Sequence, residues 1–229
     1  MHRKFLNARS PLRLLEKGLH GGLGRGNLGL LLAGHGVGKT PFLVGVALDE
    51  LLRGERALHV ALDQTVSHVR AYYDTVFDEL ATTTHLEDAA RVHLEVDRRR
   101  SIRSYPPSGF GSAKLREALK FEAEAGPPPA LVVLEGLPLE QASRDEVEDL
   151  HALAREIDAE VWLSVACGEE RVREIPSRLR RFEDLFAVVL ALEPAPGTVT
   201  LRALKDHDNP DVAALHVALD PKSLLLVRS

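Results

Sequence analysis

Cys167 is the only cysteine in the 229-residue chain, so a disulfide framework is excluded, which fits a reducing, cytoplasmic setting. The opening MHRKFLNARSPLRLLEKG lacks an apolar signal core, and no later apolar run approaches the roughly 20 residues of a membrane helix. Neither a leader nor a membrane anchor is therefore expected. Positive charge is not in excess: the net charge is −5, opposite in sign to a generic polyanion binder. The ten histidines give no close metal-ligand spacing, and His85 and His93 are eight residues apart, which argues against a structural zinc site. No Gly-x-Ser-x-Gly elbow supports a hydrolase triad, and no Asn-Lys-x-Asp specifies guanine.

What is present is an ordinary globular composition, 45% hydrophobic, which excludes wholesale disorder. The length suits one α/β domain with at most a small appendage. Residues 1–26 read as an N-terminal arm and Gly-rich turn, and 27–229 as a single domain. Short apolar runs at 27–32, 57–62, 131–134 and 161–166 predict strands, with a weaker one at 101–105. Helical spacing appears between them. Pro41–Leu52 is one such segment, and Val66, Val69, Tyr73, Val76, Phe77 and Leu80 make an apolar stripe over 65–80. A polar helix is expected at 86–98, and Ser112 is expected to cap a helix running to Ala125. Ser143-x-x-Glu146 predicts a capping box for a helix with Val147, Leu150, Leu153, Ala154 and Ile157 inward. From 186 onward, strand-like runs at 186–192, 198–204, 215–219 and 224–227 leave no room for helices. This layout predicts an α/β protein with a mostly parallel central sheet flanked by helices, and a C-terminal antiparallel meander over 185–229.

Ala33-Gly-His-Gly-Val-Gly-Lys-Thr40 fits the relaxed phosphate-loop (Walker A) pattern, a small residue, four residues, then Gly-Lys-Thr. Gly34, Gly36 and Gly38 let successive backbone amides turn inward toward a polyphosphate, with His35 and Val37 as spacers. Lys39 would reach the β- and γ-phosphates, the Thr40 hydroxyl would ligate Mg²⁺, and Pro41 would fall in the first helical turn. An apolar strand enters the loop and a helix leaves it, as that mechanism requires. In LVVLEG at 131–136, Glu135 stands at the tip of a strand, where a carboxylate holds Mg²⁺ through a water or polarises an attacking water. The competing assignment is a solvated strand-end glutamate.

The layout resembles the RecA-like P-loop ATPases, specifically the branch of KaiC, the DnaB helicase and RadA. The resemblance is carried by SPLRLLEKGLHGGLGRGNLGLLLAGHGVGKT and LVVLEGLP (131–138), and more loosely by ALHVALDQTVSHV (57–69) and LRALKDHDNP (201–210). It implies ATP and Mg²⁺ as ligands and assembly into a homo-oligomeric ring or filament. Asp63 and Gln64 stand where such proteins usually carry paired glutamates, one of which activates water. Lys205 and His207 stand where a Lys-x-Arg finger reaches a neighbour's nucleotide, and Ser164 where a polar group senses the γ-phosphate. The resemblance thus assigns catalysis to Glu135, Asp63 and Lys205. Plainer roles stay open: a turn former for Asp63, an edge-strand solubiliser for Lys205, a satisfied core hydroxyl for Ser164.

Replacing a glutamate pair by Asp-Gln and an arginine by histidine implies slow hydrolysis. The resulting expectation is a slow ATPase acting as a nucleotide-dependent regulator or assembly factor, with a protein client. The alternatives are a hydrolysis-deficient nucleotide-responsive scaffold and a DNA-associated motor or accessory protein. Two arginine-rich stretches motivate DNA: Arg98, Arg99, Arg100 and Arg103, then Arg171, Arg173, Arg178, Arg180 and Arg181. Without interleaved aromatics for base stacking, solvated surface or pairing with the protein's own carboxylates is the favoured assignment. A small-molecule kinase fits less well, because no Arg-rich lid follows the core.

Overall fold

The computed structural model describes residues 3–169, 171–210, 212 and 215–229. Five strands with continuously or largely apolar sequences form the parallel centre: β1 (Leu28–Ala33), β2 (Ala57–Ala61), β4 (Leu131–Glu135), β5 (Glu160–Ala166) and β6 (Phe186–Ala195). The more polar β3 (Arg100–Ser104) pairs in parallel with β2 and forms one edge of the sheet. β7 (Thr198–Asp206), β8 (Val217–Leu219) and β9 (Leu226–Arg228) continue the other side antiparallel. The strand order is β3-β2-β4-β5-β1-β6-β7-β8-β9. The α/β architecture, the mostly parallel sheet and the terminal meander agree with the sequence reading.

Alternation along each strand divides the core into two layers. Leu31 and Ala33 of β1 join a layer with α3 (Lys39–Arg53), α4 (Val66–Thr84) and α5 (Ala89–Arg99). Leu28, Leu30 and Leu32 face the other layer, with α6 (Ser112–Ala125) and α7 (Arg144–Glu156). Both faces of the parallel strands are thus covered, which explains why they read as unbroken apolar runs.

Two local expectations are corrected. The stretch expected as an arm is helical and packed on the core: α1 (Arg3–Arg9) and α2 (Leu12–Gly18) bury Leu6, Leu12 and Leu15 in the α3 layer, and Leu19 and Leu23 of the following Gly-rich turn point inward after them. The first two residues of that arm lie outside the described residues. Ser112 does not cap α6 either. Gly111 holds the cap position, and the Ser112 hydroxyl donates to Asp149 at 3.3 Å. The Ser143–Glu146 capping box forms in both directions, as its spacing requires. Among the described residues no helix is long and apolar enough to cross a membrane.

Candidate functional site

A cleft of about 640 Å³ opens at the carboxyl ends of the parallel strands, the edge where open α/β sheets commonly bind ligands. Its floor is the loop between β1 and α3. Gly36 (φ 71°) and Gly38 (φ 115°) are left-handed there, a conformation that a side chain would strain. Gly38 is doubly constrained, because a Cβ would fall 2.5 Å from the Leu219 side chain in β8. Gly36 has open space in that direction. The loop delivers Lys39 and Thr40 to the start of α3, with Pro41 in its first turn, where the missing N–H costs little. His35 and Val37 line the cleft beside them, while Gly34 contributes a carbonyl.

The Lys39 ammonium folds back and donates to the Gly34 carbonyl at 3.1 Å. Burial lowers its pKa, opposed by the attraction of Glu135, Cys167 and Asp63. A partly dehydrated cation held by one neutral carbonyl is under-neutralised, and an anion in the cleft would relieve it.

Glu135 closes β4 and is buried, 2% exposed. A backbone bond from Leu62 N to the Glu135 carbonyl, 2.9 Å, ties the end of β2 to that of β4. The carboxylate is divided between two partners. Oε1 accepts from the Thr40 hydroxyl at 3.0 Å, and Oε2 bonds His59 Nε2 at 2.9 Å. Glu135 is therefore not the solvated strand-end residue that the sequence left open. Gln64 donates to Thr40 Oγ1 at 3.1 Å, so Thr40 joins β4, α3 and the turn after β2.

Gln64 Oε1 is buried and accepts no hydrogen bond, an orphan acceptor that a metal-bound water would satisfy. The hydroxyl, carboxylate and amide oxygens around Thr40 are all hard donors, the set Mg²⁺ prefers. These residues fit that ion.

Asp63 is exposed on the rim, where Gly136 leaves it room: a Cβ at Gly136 would come 2.8 Å from its carboxyl carbon. Ser164 is buried beneath the cleft, in register with Glu135 on one side and Leu31 on the other. Lys205 is not in the cleft. It lies on β7, four strand positions or about 19 Å from β4, and its amine donates to the Glu183 carbonyl at 2.6 Å. His207 is likewise remote, bonded to Asp206 and to the Leu23 carbonyl. Within one chain these two residues do not meet the loop.

Three features of the site went unread in the sequence. His59 sits inside β2 with no exposure, and the one polar letter in ALHVAL was its only signal. Tyr72 lines the cleft from α4, and Val199, Leu219, Pro221 and Leu224 form an apolar wall from the meander. Those wall residues are far from the loop in sequence, and only the sheet order brings them near.

Several arginines of the two basic stretches are engaged within the chain. Arg103 pairs with Glu122, Arg100 with Asp97 and Asp74, Arg178 with Glu140 and Arg180 with Glu174. Asp74, His93 and Asp97 converge despite their sequence separation, but the buried Arg100 already bonds Asp97 there. No model of a known protein family matches the chain, and no curated protein matches it.

Proposed function

We propose that the chain binds ATP with Mg²⁺ in the 34–40 cleft and is a RecA-like protein that hydrolyses it slowly, as a nucleotide-dependent regulator or assembly factor. The observation that carries the reading is the junction of β1, the left-handed glycines and α3 directly against the buried Thr40–Glu135 pair. Backbone amides at 36–40 and the positive end of α3 favour a polyphosphate at that point. Lys39 would release the Gly34 carbonyl and take phosphate oxygens instead. Thr40 and Glu135 would hold Mg²⁺, and the bound ion would neutralise charge on the phosphates. The apolar wall of Leu219, Pro221 and Leu224 offers the remaining length of the cleft to the nucleoside.

Slow turnover follows from the positions of the other groups. Asp63 is on the rim, and Gln64 carries no charge with which to draw a proton from water. Lys205 would act only across an interface between copies, after leaving the Glu183 carbonyl. A hydrolysis-deficient scaffold is the second reading, favoured by the engagement of Gln64 with Thr40.

Isothermal titration with ATP and Mg²⁺ tests the binding step. Heat is expected for the wild type and none for Lys39→Ala, and a wild type without heat overturns the reading. Steady-state phosphate release separates the two versions: turnover lost in Glu135→Gln supports the enzyme, and none at any concentration supports the scaffold.

A further inference from the structure

Glu135 carries a flexible two-methylene side chain, which has rotamers to lose on being fixed. Something must hold it. His59 enters from β2, the strand paired with β4, with Ala61 opposite Glu135 and His59 opposite Val133. Its Nε2 meets Glu135 Oε2 at 2.9 Å, and its Nδ1 meets the Tyr73 hydroxyl at 3.2 Å. The histidine ring also stands edge-on to Tyr73, 5.8 Å between centroids. All three side chains are buried, and Arg100 covers the outer face of Tyr73 at 4.7 Å.

The contacts fix the order of this chain as Tyr73, His59 and Glu135. The Glu135 carboxylate can only accept, so His59 Nε2 carries the proton toward it. Tyr73 is fully buried, and burial pushes its phenol above the ordinary range, so its hydroxyl stays protonated within hydrogen-bond distance of Nδ1. The His59 ring is thus held by Tyr73 on one side and by Glu135 on the other. It orients the carboxylate.

We infer that His59 is the positioning residue of the cleft: by occupying Oε2 of Glu135 it turns Oε1 onto the Thr40 hydroxyl and so builds the metal-binding half of the proposed nucleotide site. This rests on the nucleotide reading given above. In the absence of His59, Oε2 would be buried without a donor, and the carboxylate would swing away from Thr40 to find one.

A paired substitution tests it. Gln at 59 places an amide N–H near the position of Nε2, whereas Asn places one nearer Nδ1. ATP affinity is measured by calorimetry with Mg²⁺ and with EDTA for wild type, His59→Gln and His59→Asn. In the wild type Mg²⁺ is expected to tighten ATP binding. His59→Gln should keep that gain within about threefold, while His59→Asn should lose about tenfold of it, the equivalent of one charge-assisted hydrogen bond. Affinity in EDTA, set by the loop amides and Lys39, should be the same in all three. Equal Mg²⁺ gains in the Gln and Asn variants would overturn the inference and leave ATP binding standing. A wild type that binds no ATP overturns both.

Discussion

Glu135 and Asp206 invite comparison. Each is the last residue of its strand, each is almost wholly buried, and each is gripped by histidine. Glu135 accepts from Thr40 and bonds His59 beside a cleft. Asp206 bonds His20 Nδ1 at 2.6 Å and His207 Nδ1 at 2.9 Å, with Asn209 at 3.4 Å, and is not among the residues lining that cleft. Its partners come from the Gly-rich turn after α2 and the turn after β7, both with histidines at left-handed φ, 51° and 52°. The polar shell around Asp206 is spent on fastening two turns together. The difference teaches that a buried carboxylate with good donors is a structural fastener by default, and becomes a candidate site only where a partner such as Thr40 also faces an open volume.

The largest effect that tests this contrast is loss of the fastener. Asp206→Ala leaves His20, His207 and Asn209 without their common acceptor, and should cost about 2–3 kcal/mol in urea denaturation. Its ATP affinity should stay within twofold of wild type, since Asp206 is four strand positions from β4. Glu135→Gln should show the reverse pattern. The amide oxygen still accepts from Thr40 or the amide N–H turns toward it, so stability should change by about 1 kcal/mol or less. The Mg²⁺-dependent part of ATP affinity should fall about tenfold, because a neutral amide no longer balances the cation. A destabilised Glu135→Gln with unchanged Mg²⁺ dependence would make Glu135 a second fastener and erase the distinction.

Much of this contrast was legible in the sequence, and the rest was hidden for a physical reason. The loop at 34–40 and the acid at 135 are local patterns, each readable from a few adjacent residues, and the structure brings them within one hydrogen bond. The strand and helix alternation was equally visible, because double burial leaves unbroken apolar runs. His59 could not be ranked from sequence: a lone histidine in an apolar strand acquires meaning only from its neighbours, here Glu135 at 76 residues' separation and Tyr73 at 14. The Asp206 fastener spans 186 residues to His20. In 201–210 Lys205 and His207 carry the recognisable spacing, whereas Asp206 between them has no local signal of its role. The α1–α2 segment carries little helical signal in the sequence because seven-residue helices show too few turns for a convincing period.

Glu50 on α3 is the control for both carboxylates, because there burial outweighs the partners. Its pKa is pushed up to about 7, by burial first and then by Glu160, Asp49 and Glu55, with Arg13 opposing. Asp206 goes the other way: burial raises it, but the bonds from His207, His20 and Asn209 outweigh burial and leave it lowered. The signs of the linked stability changes therefore differ. Between the ordinary glutamate value of 4.5 and about 7, native Glu50 holds a proton that the unfolded chain has released. Stability from Glu50 is full below that window and declines as pH rises through it. Asp206 contributes above its unfolded value of 3.8 and loses that contribution as the solution is acidified. Melting temperatures from pH 5 to 8 should accordingly fall less steeply for Glu50→Gln than for wild type, by a few degrees across the range. Asp206→Ala should flatten the decline below pH 4. If Glu50→Gln keeps the wild-type slope from pH 5 to 8, partners and not burial set the charge of carboxylates in this layer, and the ranking of Glu50 against Asp206 is lost.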